Sequence, residues 1–278
     1  MTKTVLITGC SSGFGETTAH LFADRGWNVV ATMRDVTAGE RLAARANVAV
    51  VRLDVQDRPS IADAVAASLA RFGRIDALVN NAGFGLSGVF EETPRAKVVE
   101  QFEVNVFGLM DVTRAVLPIF REQRSGTIVN VTSGAGVFGL PLISLYTASK
   151  FAVEGFSESL SYELAGLGIH VRLVEPGGVT STRFGERSGA EASKTNAIPD
   201  YAPFLTGAAK VFDGLRASRG RATSEEVAEV IYAATTDESD RLRWVATDDI
   251  RPLVSARREQ GEEAYMALMR GQFTPELG

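Results

Sequence analysis

The feature that most constrains this chain is a rhythm. Short apolar runs alternate with helical patterns over its first 175 or so residues. Thr4–Thr8 (TVLIT), Asn28–Met33 (NVVATM), Val48–Leu53 (VAVVRL), Ile75–Asn80 (IDALVN), Thr127–Thr132 (TIVNVT) and Ile169–Val174 (IHVRLV) are each of strand length. Helical patterns separate them. Glu16–Arg25 offers Ala19, Leu21 and Phe22 for packing, and Thr37–Ala46 follows. Pro59 sits where a first helical turn begins, ahead of Ile61, Val65, Leu69 and Phe72 on one face. A long pattern runs from Pro94 to about Arg124, with Thr93 placed as its cap and Gly108 and Pro118 as bend points. Tyr146–Leu164 carries Phe156, Leu160 and Leu164 at i, i+4 spacing. Strands joined by helices of this length cannot close as hairpins. They require parallel βαβ crossovers, with helices covering both faces of the sheet. The expected fold is α/β, a doubly wound parallel sheet in three α/β/α layers.

Beyond residue 180 the pattern weakens. Thr180 to about Ala208 is rich in Ser, Gly, Glu and Ala, long for an irregular insert in a compact domain. The pattern then resumes: Ser224–Ala234 reads as a helix capped by Ser224, with Val227, Val230 and Ile231 inward, and Leu242–Ala246 as a last strand. The expectation is one domain over residues 1–278, with 180–222 as a lid-like substrate loop inside it. The tail after Arg257 is charged, with a short helix expected around Ala264–Met269.

Composition removes several classes of function. With 34 acidic and 29 basic residues, the net charge is −5, which gives no general attraction to nucleic acid or to anionic membranes. No apolar run reaches the length of a membrane span, and the amino terminus meets polar glycine-rich sequence too soon for a signal peptide. The single cysteine cannot form an internal disulfide, so a reducing compartment, the cytoplasm, is expected. His20 and His170 lie far apart, and no metal site is expected.

The first strand runs into TGCSSGFG, Thr8–Gly15, which opens a helix. Gly9, Gly13 and Gly15 permit tight turns, and the backbone N–H groups around Ser11, Ser12 and Phe14 and the helix start can hold a pyrophosphate. No Lys-Ser or Lys-Thr pair follows, which weakens a phosphate-loop NTPase reading. Further motifs come in order: Asn80-Asn81-Ala82-Gly83, Asn105, Ser133, Tyr146-x-x-x-Lys150 and Pro176-Gly177. Together with the G-x-x-x-G-x-G turn, this set resembles the short-chain dehydrogenase/reductase family, in its compact branch. The resemblance is strong over about residues 3–180 and loose beyond. It implies a Rossmann-type fold and hydride transfer between a nicotinamide cofactor and an alcohol or carbonyl compound.

The end of the second strand meets the adenosine ribose in such folds. The resemblance places Met33 where NAD-selecting members hold an acid, and Arg34 where NADP-dependent members hold a base. A guanidinium can grip a phosphate bidentately. NADP(H) is therefore expected over NAD(H), while Asp35 keeps an acidic alternative open. By the same resemblance, Asp54 contacts the adenine amino group, Val55 contributes its backbone, and Asn81, Ala82 and Gly83 border the cofactor. Pro176, Gly177 and Val179 line the nicotinamide side, with Thr180, Ser181 and Thr182 competing for a contact there. Asp54 also reads simply as a turn cap.

Tyr146 and Lys150, four residues apart on a helix, share one face. A phenol is a poor base near neutrality, and a nearby ammonium favours its phenolate. The same phenol can donate a proton to an oxygen turning into an alkoxide. Ser133 lies just after the fifth strand. Its hydroxyl could orient the substrate oxygen; local sequence leaves Thr132 as a rival, and the family spacing selects Ser133. Asn105 falls inside the long helix, where asparagine is intrinsically unfavourable; it reads as a buried polar group, or, by the resemblance, as the holder of a water near Lys150 that completes a proton relay. Lys150 would also hold the nicotinamide ribose.

Glu175-Pro176-Gly177-Gly178 is similar to the branch containing 17β-hydroxysteroid and retinol dehydrogenases, which points to an apolar alcohol or ketone substrate. Phe84, Leu86, Phe138, Leu140, Leu142, Phe184, Tyr201 and Phe204 fall in loops at the catalytic edge and are candidate pocket residues. Cys10, Trp27 and Trp244 read as packing groups. The helices at 94–124 and 146–165 resemble those that pair subunits in this family, so a homodimer or homotetramer is expected. The competing readings are a non-catalytic NADP(H) sensor, against which an intact Ser133, Tyr146 and Lys150 argue, and an epimerase, dehydratase or enoyl reductase using related machinery.

Overall fold

The computed structural model describes residues 2–179, 198–218 and 222–275. Seven strands form one sheet in the order β3-β2-β1-β4-β5-β6-β7. They are β1 (Thr4–Thr8), β2 (Asn28–Met33), β3 (Val48–Arg52), β4 (Ala77–Asn80), β5 (Gly126–Val131), β6 (Ile169–Glu175) and β7 (Arg243–Val245). Every neighbouring pair is parallel. The chain winds outward first to one side of β1 and then to the other. The reversal between β1 and β4 opens a crevice at their carboxyl ends, where such sheets bind ligands.

Alternation along the strands builds two cores. Val5, Ile7, Val29, Ala31, Val79 and Val129 face the layer of α1 (Gly13–Asp24), and Val227 and Ile231 of a later helix join them. Leu6, Val30, Leu78 and Ile128 face the opposite layer. There they meet α3 (Arg58–Phe72) through Ile61 and Val65, α5 (Leu109–Gln123) through Val112, Val116 and Phe120, and α6 (Ser144–Ala165) through Leu160 and Leu164. Buried polar side chains tie the layers together. Asn80 Nδ2 donates to Thr113 and Asn130, each at 2.9 Å, and Asn130 Nδ2 donates to Ser157 at 2.8 Å.

The three-layer α/β/α fold is as the sequence predicts. Several boundaries differ for local reasons. The helix expected at 37–46 is a 3₁₀ turn (Val36–Gly39) followed by a four-residue helix α2 (Glu40–Ala43). The long pattern after β4 is α4 (Arg95–Phe102), a π-helical turn (Glu103–Gly108) and then α5, with Pro118 inside α5 without ending it. Thr93 is not its cap: Pro94 holds that position, and the Thr93 hydroxyl donates to Val89 O instead. Residue 202 begins a helix, α7 (Ala202–Ser218), where irregular chain was expected to about Ala208.

The cap of α8 (Ser224–Thr236) is Thr223 rather than Ser224. Thr223 and Glu226 form a reciprocal capping box. The tail is more structured than its charge suggests. It forms α9 (Arg251–Glu259) and α10 (Glu262–Phe273), whose Leu253, Tyr265, Met269 and Phe273 pack with Phe138 in a separate apolar cluster. No helix among the described residues is long and apolar enough to cross a membrane.

Candidate active site

The glycine turn and the NNAG segment are one structure. Asn81 Nδ2 donates to Thr8 O at 2.9 Å and Gly9 O at 3.2 Å, and the backbone N–H groups of Asn81 and Ala82 both donate to the Thr8 hydroxyl at 3.0 Å. Gly9 has φ +75°, and a Cβ there would press on Ala82 Cα at 2.9 Å. A Cβ on Gly15 would overlap the Gly9 carbonyl. These glycines answer close backbone packing, which brings the start of α1 against the carboxyl end of β4. Ser12 is the N-cap of α1, and its side chain makes no capping bond. Ser12 thus leaves the first-turn N–H groups without its side chain as an acceptor, a setting suited to a pyrophosphate.

At the end of β2, Met33 is buried while Arg34 and Asp35 are exposed. Asp35 Oδ1 accepts from the Thr37 N–H at 3.0 Å and the Thr37 hydroxyl at 2.7 Å, as the cap of the following 3₁₀ turn. Those bonds hold its carboxyl below the usual range. After β3, Asp54 Oδ1 accepts from Gln56 N at 3.1 Å, so the turn-capping reading of Asp54 holds for one of its oxygens. Val55 packs so closely on Gly108 that a Cβ on the glycine would clash.

Tyr146, Lys150 and Ser133 meet at the start of α6. Tyr146 is 8% exposed, and its hydroxyl is hydrogen-bonded to Ser133. Burial pushes the phenol up to about 12, with Ser133 opposing. Ser133 Oγ also accepts from Ala135 N at 3.1 Å, as the cap of the 3₁₀ turn Gly134–Gly136. Thr132, the rival, points elsewhere: its hydroxyl donates to Glu154 at 2.7 Å. Lys150 Nζ donates to Val131 O at 2.9 Å and lies 5.7 Å from the Tyr146 ring centroid. Burial pulls its ammonium down to about 8, against an opposing effect of Glu154. An ammonium has three N–H donors, so donors beyond the Val131 bond remain for a ribose.

Asn105 lies in the π-helical turn and is buried. Such turns recur at functional sites. Its Nδ2 donates to Phe84 O at 2.9 Å and Ser149 Oγ at 3.2 Å, while Oδ1 accepts from Phe84 N at 3.0 Å. Both amide N–H groups are thus spent on bracing the chain after β4 against α6. A water held by this side chain could only donate to the remaining Oδ1 lone pair.

Two residues absent from the sequence reading hold the Pro176-Gly177-Gly178 turn. Gly177 N donates to Thr247 Oγ1 at 2.8 Å, and Gly178 N to Asp249 Oδ2 at 3.1 Å. Pro176 O in turn accepts from Gly134 N at 2.8 Å, which ties this turn to the one that carries Ser133. Thr247 and Asp249 had no motif to mark them, because their partners lie some 70 residues upstream. Val179 packs against the α1-side core. Thr180, Ser181, Thr182 and Phe184 lie outside the described residues, as does much of the 180–222 lid region.

A cavity of about 440 Å³ opens beside the start of α6, lined by Gly88, Val89, Phe90, Glu91, Leu142, Ser144, Tyr201 and Phe204. Leu142, Tyr201 and Phe204 of the expected pocket set line it. Phe84, Leu86 and Phe138 do not line it: all three are buried, and Phe138 packs with α9, which the sequence reading lacked, and with α10, of which it expected the stretch Ala264–Met269. Leu140 also sits against that cluster. Cys10 is a buried spacer whose thiol burial pushes up to about 12. No cluster of metal-ligating side chains occurs among the described residues.

This geometry is matched by known proteins. The family model for short chain dehydrogenases matches residues 3–192. The chain belongs to that family. It is 36% identical over 242 residues to an uncharacterized oxidoreductase of Schizosaccharomyces pombe, covering 87% of this chain and 99% of that one. It is 34% identical over 287 residues to human 17-beta-hydroxysteroid dehydrogenase type 1, covering 97% of this chain and 85% of that one. A short-chain dehydrogenase/reductase from Burkholderia phymatum, solved with NAD, superposes with a TM-score of 0.80 at 28% identity, over 99% of this chain and 98% of that one. The chain is accordingly an NAD(P)-dependent oxidoreductase acting on an alcohol or carbonyl compound. Solved relatives carry NADP in some cases and NAD in others.

Proposed function

We propose that this enzyme prefers NADP(H) and interconverts an apolar secondary alcohol with its ketone, or an apolar alcohol with its aldehyde. The carrying observation is the meeting of Tyr146 and Lys150 of α6 with Ser133, where Lys150 Nζ lies 3.9 Å from the place a Cβ on Gly83 would take. NADP(H), when bound, supplies or accepts the hydride at the substrate carbon. The glycine turn with Ser11, Ser12, Gly13 and Phe14 would hold its pyrophosphate, Asp54 and Val55 its adenine, and Asn81–Gly83 and Pro176–Val179 its flanks. Lys150 would hold the nicotinamide ribose, with a further contact from Thr180 or its neighbours.

In reduction, Ser133 and Tyr146 bind the carbonyl oxygen, and Tyr146 gives its proton as negative charge grows there. A phenol at about 12 is protonated throughout the physiological range and so is loaded as an acid. Lys150 stabilises the phenolate left behind. Asn105 fixes the chain around Phe84 and holds, through Oδ1, the water that resupplies the proton.

Arg34 supports NADP(H): it is exposed next to a buried Met33, and Asp35 is already committed to Thr37. The apolar wall of the cavity, Val89, Phe90, Leu142 and Phe204, supports an apolar substrate, as does the likeness to the human hydroxysteroid dehydrogenase. Tyr201 and Phe204 line the cavity from the stretch 198–204, which is pinned by Ile198 N to Glu92 at 2.8 Å and Tyr201 Oη to Glu91 at 2.7 Å and which we assign to a substrate lid. Val99, Phe107 and Phe151 are exposed on the α4–α6 helices, as a homodimer or homotetramer contact requires. A cytoplasmic location completes the reading. The test is a panel of apolar ketones and alcohols followed by NADPH and NADH absorbance. Turnover with NADPH is expected; a panel without turnover, against positive-control enzymes, would overturn the reading.

A further inference from the structure

Tyr146, Lys150, Glu154 and Glu158 follow one another on α6 at i, i+4 spacing, so one helix face carries all four. Glu154 sits one turn behind Lys150 and is 6% exposed. Two other elements grip it. The Thr132 hydroxyl donates to Oε1 at 2.7 Å, and Arg243 Nε of β7 donates to Oε2 at 3.0 Å. Thr132 immediately precedes Ser133. Within the Ser133 turn, a Cβ on Gly136 would stand 3.0 Å from Glu154 Cγ. Glu154 therefore touches the serine's turn and shares the lysine's face.

Burying a carboxylate costs stability even when it is paired, and an apolar side chain of similar volume would serve the core as well or better. An ionic group held this closely behind a proton-handling pair calls for a use. We propose that Glu154 is a positioning residue for the proton chemistry: it fixes the Ser133 turn through Thr132 and supplies the negative charge faced by the Lys150 ammonium. The proposal rests on Lys150 belonging to the proton-handling set. Burial alone drives the ammonium toward neutrality, and Glu154 opposes it. The charged groups around Glu154 are Lys150 and Glu158 of its own helix, Glu175 of β6, Arg243 of β7 and, through Glu175, Arg258 of α9 and Arg241. Burial raises both Glu154 and Glu175, and Glu175 raises Glu154 further. Both Glu154 oxygens have donors, whereas Glu175 Oε2 has none among the described residues. Each carboxylate has a cationic partner, Arg243 for Glu154 and Arg258 for Glu175.

The test is the titration of Lys150 itself, in protein free of cofactor, so it does not depend on any substrate being found. The chain has five lysines, Lys3, Lys97, Lys150, Lys194 and Lys210, so side-chain ¹³C signals are few, and Lys150→Met identifies the one of interest. Glu154→Gln removes the charge and keeps the shape; its Lys150 midpoint is expected to fall by about one pH unit. Glu154→Asp keeps the charge and shortens the arm; its midpoint should stay within about 0.3 unit of the parent. With a carbonyl substrate in hand, Glu154→Gln turnover should fall about fivefold near pH 8 and much less near pH 6.5, because fewer molecules carry the ammonium. An unmoved midpoint in Glu154→Gln overturns the proposal. So does an equal fall in both variants, which would mean shape rather than charge. If Glu154→Gln does not fold, a one-unit fall in Glu154→Asp alone overturns it.

Discussion

Replacing Lys150 by methionine should stabilise the protein while silencing it. The lysine is 7% exposed, and burial pulls its ammonium from an ordinary 10.5 to about 8. A displacement of this size corresponds to about 3 kcal/mol of penalty on the folded state while the group is charged. Methionine fills a similar volume without that penalty. It gives up the bond to Val131 O, a loss of about 1–2 kcal/mol. Glu154 keeps Thr132 and Arg243 as partners. The net expectation is a gain of about 1–2 kcal/mol near pH 7, or a rise of a few degrees in melting temperature.

The pH dependence gives the sharper check. Because the folded value lies below the unfolded one, the penalty is complete below about 8. Between about 8 and 10.5 the unfolded chain holds a proton that the folded one has released. The parent's stability relative to the variant then rises by about 1.4 kcal/mol per pH unit, and the gap closes. Calorimetric or fluorescence melting of both proteins near pH 7, 8.5 and 10 measures this. A variant that melts below the parent at neutral pH, or a gap that stays constant as pH rises, would show that the buried ammonium carries no such penalty. Turnover of the variant should be lost at every pH.

Tyr146→Phe should lower kcat by about 10²–10⁴-fold, with the melting temperature little changed, as read from steady-state rates and a thermal scan. Arg34→Ala should raise the KM for NADPH about tenfold or more and leave that for NADH within about twofold, as read from initial rates with each cofactor. Asn81→Ala removes the bonds to Thr8 O and Gly9 O; it should cost about 1–3 kcal/mol in denaturant unfolding and weaken NADPH binding in a fluorescence titration. Thr223→Ala breaks the α8 capping box far from the chemistry, so it should cost about 1 kcal/mol of stability and leave kcat unchanged.

The parts of this enzyme that could be read from sequence are those encoded locally. Strands buried on both faces announce themselves as apolar runs, and the Gly9–Gly15 turn, Asn81–Gly83 and the Tyr146–Lys150 pair each fit within one element and its edge. What escaped depends on contacts between distant segments. Phe138 looked like a pocket residue because nothing in its own loop foretold α9 and α10 packing over it. The charge on its outer face hid α9, and of α10 only the stretch Ala264–Met269 was legible. Thr247 and Asp249 bond a turn some 70 residues upstream and carry no motif. Ser224 and Thr223 are equally good caps by residue type, and only the reciprocal bonds with Glu226 separate them. Glu154 is the instructive case. The i, i+4 series from Tyr146 was visible, but its partners Thr132 and Arg243 come from the ends of two other strands.

If a phenol on α6 protonates a substrate oxygen while hydride reaches the adjoining carbon, as we propose, isotope transfer will show it. NADPH deuterated at C4, on each face in turn, is incubated with the enzyme and apolar ketones, and the alcohol formed is analysed by mass spectrometry. Deuterium is expected on the carbinol carbon from one of the two labelled cofactors, with only traces of product from Tyr146→Phe. Alcohol formed without label from either cofactor, or formed equally fast by the phenylalanine variant, would contradict the proposal.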